Sequence, residues 1–128
     1  MPSPVVLDAS ALLTVFLSEP GGERVLPILH YALVSAVNLA EVITRMIDLG
    51  AAAEHVLSRV ESVQCEVCPF TEQQARVAAE LQSITRPFGL SLGDRACLAL
   101  AIDRKATVYT TDKAWKNLPL SIQIEVIR

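Results

Sequence analysis

The chain lacks any apolar run approaching the roughly 20 consecutive residues that a bilayer span takes; its longest stretches, such as Ala96 to Ile102, fall far short. The opening Met1-Pro2-Ser3-Pro4 has neither the charged nor the apolar region of a signal peptide. A cytoplasmic protein with no membrane attachment is therefore expected. Cysteine is scarce as well: three residues, an odd number, do not make the disulfide framework on which small secreted domains rely, and reduced thiols are expected. Histidine occurs only at His30 and His55, on separate expected helices, so a nuclease using a histidine pair as acid and base is not supported. Internal repeats, low-complexity tracts and long linkers are absent.

Excess positive charge is also missing. The formal net charge is −3, which speaks against a broad basic surface for nucleic acid. The charge is uneven, however. Residues 1–85 carry 4 basic and 10 acidic side chains, and residues 86–128 carry the remaining 7 basic (11 − 4) and 4 acidic (14 − 10). A phosphate-facing surface should therefore draw on the C-terminal third.

What is present is ample material for a core. A chain of 128 residues with 52% hydrophobic and 20% charged side chains fits one domain spanning residues 1–128. Val5-Val6-Leu7 reads as a strand ending at Asp8, and Ser10 precedes an apolar helix over Ala11 to Leu17, stopped by Pro20-Gly21-Gly22. A helix over Glu23 to His30, a strand over Ala32 to Ser35 and a helix from Val37 to Leu49, ended by Gly50, follow. Ala51 to Val60 reads as helix, Val63 to Val67 as strand, and Thr71-x-x-Gln74 as a capping box opening a helix to Thr85. Ser91 caps a largely apolar helix over Leu92 to Lys105, expected to lie within the core. A strand over Thr107 to Thr110, a turn from Asp112 to Lys116 and a strand over Ile122 to Ile127 complete an α/β pattern. Such alternation predicts a central parallel sheet covered on both faces, with its site at the carboxyl ends of the strands.

Asp8 and Asp112 each follow a strand, so both should emerge on that edge. Asp94 lies in the first turn of its helix and Glu41 one turn into another; Asn38, three residues before Glu41, shares its helix face. Four carboxylates in one small volume repel one another by several kcal/mol unless cations or protons neutralise them. Mg²⁺ or Mn²⁺ suits such a set, being a hard ion that prefers carboxylate oxygen and leaves positions for water and phosphate. Phosphodiester hydrolysis is the implied chemistry: one ion polarises the phosphoryl oxygen and activates water, and a second, if present, stabilises the leaving oxyanion.

Taken singly, these residues have plainer readings. Asp8 and Asp112 sit at helix-capping positions, Glu41 could pair with Arg45, and Asp94 suits a helix N-terminus. Ser10 could be only a cap, and Thr110 an ordinary strand residue. Cys65-x-x-Cys68 falls in or beside a strand, where residues three apart face opposite sides, and no second pair completes a zinc site. Trp115 reads as a packing anchor rather than a base-stacking platform.

The segments Val6-Leu7-Asp8-Ala9-Ser10-Ala11-Leu12-Leu13, Ser35-Ala36-Val37-Asn38-Leu39-Ala40-Glu41-Val42, Leu90-Ser91-Leu92-Gly93-Asp94-Arg95-Ala96-Cys97-Leu98-Ala99-Leu100-Ala101 and Tyr109-Thr110-Thr111-Asp112 resemble, in order and spacing, the four signature blocks of PIN-domain VapC toxins. The resemblance spans nearly the whole chain. It implies a PIN-like three-layer α/β/α fold and metal-dependent endoribonuclease activity, with Asp8, Glu41, Asp94 and Asp112 as the metal-binding, catalytic acids. Ser10 and Thr110 match hydroxyl positions near the site, with Asn38 beside them as a supporting residue. Arg95 and Lys113 are candidate contacts to RNA phosphates. The resemblance further implies a homodimer, an RNA substrate and a cognate antitoxin that covers the active groove. A phosphorylated receiver domain would need an acceptor Asp after the third strand, where Cys68-Pro69 stands. A catalytically silent module that keeps the fold and binds protein or RNA is the remaining alternative.

Overall fold

Val5–Leu7 (β1), Ala32–Ser35 (β2), Glu66–Cys68 (β3), Thr107–Thr110 (β4) and Ile124–Val126 (β5) form one sheet in the order β3-β2-β1-β4-β5. Every neighbouring pair is parallel. The computed structural model describes residues 3–128; Met1 and Pro2, and with them part of the stretch read as lacking leader features, lie outside the described residues. The helices are Ala9–Phe16 (α1), Gly22–Val25 (α2), Ala36–Asp48 (α3), Ala53–Ser62 (α4), Glu72–Thr85 (α5) and Leu92–Arg104 (α6).

Strand alternation divides the apolar residues between two cores, because successive side chains leave a strand on opposite faces. Val5 and Leu7 of β1 pack with Leu12, Val34, Val42 and Val56 beneath α1 to α4. Val6 joins Leu33, Leu98, Leu100, Val108 and Trp115 on the other side. Helices thus cover both faces, which is why β1 and β2 have no polar side and all their residues are buried. The expected three-layer α/β/α architecture is the one observed. No helix among the described residues is long and apolar enough to cross a membrane.

The strand order has a direct bearing on the site. The chain moves outward from β1 through β2 to β3, then returns through α5 and α6 to set β4 against the free side of β1. The direction of winding reverses between β1 and β4, and in open parallel sheets the crevice at such a reversal is where ligands bind. Leu7 is level with Tyr109 of β4, so the residues that follow each emerge side by side.

Several local expectations are corrected by the structure. The helix expected over Glu23 to His30 is a single turn, α2, followed by a 3-10 segment over Leu26–Tyr31, because Pro27 supplies no backbone N–H. The third strand is Glu66–Cys68 rather than Val63 to Val67: Val63 still ends α4 and Gln64 turns the chain with φ 61°. The first helix begins at Ala9, with Asp8 rather than Ser10 as its N-cap. The capping box expected at Thr71 is half made; the Thr71 hydroxyl accepts from Gln74 N, but the Gln74 side chain reaches Asp103. Cys65 and Cys68 are free thiols that pack into opposite cores, so the pair does not form a CxxC centre.

Helix α6 carries the burial that its composition predicts, with Gly93 and the whole run from Ala96 to Ala101 enclosed. We expect Leu98→Ala, at a site of 0% exposure, to cost about 2–5 kcal/mol in urea unfolding. Leu92→Ala, on the same helix at 53% exposure, should stay within about 0.5 kcal/mol. Equal losses at the two positions would contradict this assignment of the core.

Candidate active site

Asp8 leaves the end of β1 and is sunk beneath the surface, with three donors around it. Its Oδ1 accepts from Ser10 Oγ at 2.7 Å and from Ala11 N at 2.8 Å, and its Oδ2 accepts from Thr110 Oγ1 at 2.6 Å. Thr111 N donates to Ser10 Oγ at 3.0 Å and Asp112 N to Thr110 Oγ1 at 3.1 Å, so the ends of β1 and β4 are tied through the two hydroxyls. Ser10 is therefore a bracket between strands rather than a helix cap. Burial raises the Asp8 carboxyl from 3.8 to about 6; the hydrogen bonds from Thr110, Ser10 and Ala11 oppose that rise, and the negative charge of Asp94 adds to it.

Asp94 closes a capping box in the first turn of α6: its backbone N–H donates to Ser91 Oγ and its Oδ2 accepts from Ser91 N at 2.9 Å. Glu41 arrives from α3 and takes a hydrogen bond from Asn38 Nδ2 at 2.8 Å, while the same amide nitrogen donates to Gly93 O at 3.0 Å. The surface ion pair with Arg45 is not formed among the described residues. Asp112 caps the 3-10 turn Lys113–Asn117, accepting from Ala114 N at 3.0 Å. Capping and site membership are thus compatible, because a carboxylate that caps with one oxygen keeps the other.

All four acids line one cleft of about 430 Å³, together with Ser10, Leu13, Thr111 and Trp115. The buried Cys97 thiol beneath it registers the same convergence: burial, and then the negative charges of Asp8, Asp94 and Glu41, push its pKa well above 9. A second cleft of about 410 Å³ opens at the amino ends of β1 and β4, around Lys105, Thr107 and Gln123, and no carboxylate lines it. The acids therefore gather on the edge that the sheet topology designates.

The donor set consists of carboxylate and hydroxyl oxygens without histidine or cysteine, which suits a hard, hydrated divalent cation better than zinc. Among the described residues, no three acidic, histidine or cysteine side chains stand close enough to enclose an ion by themselves. A rim of separated carboxylates is nonetheless the arrangement expected where water fills much of the coordination sphere. Of the two basic candidates, neither lines the cleft. Arg95 Nη1 donates to Ala78 O of α5 at 2.9 Å, and Lys113 is exposed on the turn after Asp112.

Sequence reasoning overlooked two neighbours of the acids. Trp115 is the packing anchor it was expected to be, yet it also lines the cleft, and its buried Nε1 has no partner. Gly93 lies directly beneath Glu41. The available signal was a glycine in an otherwise strong helical pattern, next to Asp94.

With the fold and the cleft described, the class of protein follows: the sequence matches the PIN domain family over residues 5–120, and the chain belongs to that family. No curated protein matches it. Among solved structures it is similar to VapBC2 from Rickettsia felis bound to a promoter DNA fragment, with TM-score 0.74 and 19% identity over 95% of this chain and 97% of that one. It is also similar to DNA-bound VapBC from Salmonella typhimurium, with TM-score 0.73 and 21% identity over 97% and 98% of the two chains. VapBC-5 from Mycobacterium tuberculosis, a member of the VapBC family of toxin-antitoxin systems, shares 29% identity over 99% of both chains at TM-score 0.65.

The raised Asp8 pKa fixes a sign for pH dependence in metal-free protein. The folded state binds a proton that the unfolded state has released between pH 3.8 and about 6, so the Asp8 contribution to stability falls as pH rises through that window. The full effect is about 3 kcal/mol. In chelator, Asp8→Asn should gain stability relative to the native protein by roughly that amount between pH 4 and pH 7. Parallel stability curves for the two proteins would refute it.

Proposed function

We propose that this chain is a divalent-metal-dependent endoribonuclease, the toxin of a VapBC-type toxin-antitoxin pair, built as a single PIN domain over residues 1–128. The observation that carries the reading is the convergence of Asp8, Glu41, Asp94 and Asp112, from four separate segments, on one cleft at the reversal of the sheet. Membership of the PIN family and likeness to VapBC complexes support it. In this reading the four acids hold Mg²⁺ or Mn²⁺ and are the catalytic residues. The bound ion supplies Lewis acidity toward the scissile phosphate and its attacking water.

The chain's own groups have distinct tasks. Ser10 and Thr110 donate to Asp8 and fix its two oxygens, so its lone pairs point in set directions. Asn38 orients Glu41. Burial of Asp8 makes its charge costly in the empty site and so strengthens its preference for a cation over water. Lys113, exposed just outside the cleft, would meet an RNA phosphate beyond the scissile bond, where a point charge aids binding rather than bond cleavage; Arg95, turned to the Ala78 carbonyl, would reach one only by leaving that bond. The proposal includes an RNA substrate, a cognate antitoxin that blocks the cleft, a homodimer and a cytoplasmic location.

A catalytically silent PIN-fold module that binds protein or RNA is the second reading, since membership of the family fixes the fold and not the activity. Calorimetric titration with Mn²⁺ separates the two, since a silent module takes up no ion at the acids.

The decisive experiment maps RNA ends after incubation with the native protein and with Asp94→Asn, which retains an oxygen able to accept from Ser91 N. Cleavage should require Mg²⁺ or Mn²⁺, and the substitution should slow it on the order of 10²–10³-fold, several kcal/mol of lost charge stabilisation. Cutting that continues in chelator would end the proposal.

A further inference from the structure

Gly93 occupies the second position of α6, one residue before Asp94, and its φ is not positive, so its backbone does not call for glycine. Space does. A Cβ built there would overlap the Glu41 carboxylate, including both of its oxygens. The same residue is held from a second side, because its carbonyl accepts from Asn38 Nδ2 at 3.0 Å while that nitrogen also donates to Glu41 Oε1 at 2.8 Å. Asn38 is 1% exposed, and with two acceptors facing its side-chain nitrogen only one orientation of the amide satisfies both. Its Oδ1 is buried without a partner, a cost that the fold accepts to keep this nitrogen where it is. Glycine is also the poorest helix former after proline, so its presence inside α6 runs against local preference.

Resting on the reading of Glu41 as a metal-holding carboxylate, we infer that Gly93 is a positioning residue: by lacking a side chain it admits the Glu41 carboxylate over the first turn of α6, beside Asp94, where Asn38 pins it. The obstacle that an added methyl would meet is the far end of a flexible side chain and not backbone. The fold therefore yields at the carboxylate, and alanine, the better helix former, leaves the helix itself no worse.

The test compares native protein, Gly93→Ala, Glu41→Ala and the double variant, reading the thermal midpoint in chelator and Mn²⁺ binding by electron paramagnetic resonance of the free ion. Gly93→Ala should melt at or above the native midpoint without metal, yet bind Mn²⁺ roughly 10- to 100-fold more weakly. Glu41→Ala should show a similar loss, and adding Gly93→Ala to it should lose nothing more. Native-like Mn²⁺ binding by Gly93→Ala, alongside weak binding by Glu41→Ala, overturns the inference and leaves Glu41 as a ligand. Native-like binding by Glu41→Ala overturns the ligand reading and the inference with it. A further loss in the double variant, or a collapsed midpoint for Gly93→Ala, also overturns it, since Gly93 would then act through something other than Glu41.

Discussion

Burying the carboxylate of Asp8 is the constraint around which the rest of the site is arranged. Among the described residues it is the one buried acid, and desolvation shifts it toward its neutral form, a shift that hydrogen bonds from Thr110, Ser10 and Ala11 only partly offset. Two of those donors belong to the helix that Asp8 caps, and the third belongs to β4, 102 residues away in sequence. One side chain thus starts α1, fastens β1 to β4 and contributes charge to the cleft. The parallel register that levels Leu7 with Tyr109 is what makes the three tasks possible together.

The other acids show how a polar site is attached to an apolar scaffold. Asp94 and Asp112 each use an oxygen to cap a helical start, and Glu41 is steadied by an amide on its own helix. Each is therefore held by local chemistry that a sequence can encode over three or four residues. Only the sheet order brings them to the same place. The cleft at the opposite edge has similar volume without acids, so concavity alone does not distinguish the two ends of the sheet; charge does.

The elements most legible in the sequence were those whose pattern and punctuation agreed. The β1 and β4 strands, the apolar α6 with Ser91 as cap, and the covering of both sheet faces follow from composition and alternation alone. Boundaries failed where a tertiary partner outbid a local signal. Ser10 has the chemistry of a cap, but its hydroxyl serves Asp8 and Thr111, so the helix starts earlier. Gln74 has the spacing of a capping box, yet Asp103 claims its side chain. In the cleft, the four acids could be named from their blocks, whereas the closeness of Gly93 to Glu41 could not, because a glycine in a helical pattern marks its own position but not which residue of α3 packs over it.

The winding that sets β4 beside β1 also decides when the cleft comes into being. β1, β2 and β3 all precede β4 in the chain, so the flank of β1 that β4 covers stays open, and Asp8 Oδ2 lacks its Thr110 donor, until Thr110 has left the ribosome. A nascent chain shorter than this holds three of the four acids without the strand that draws them together. Assembly of the charged groove is in that sense vectorial, deferred by topology until β4 is in place and not by any separate control.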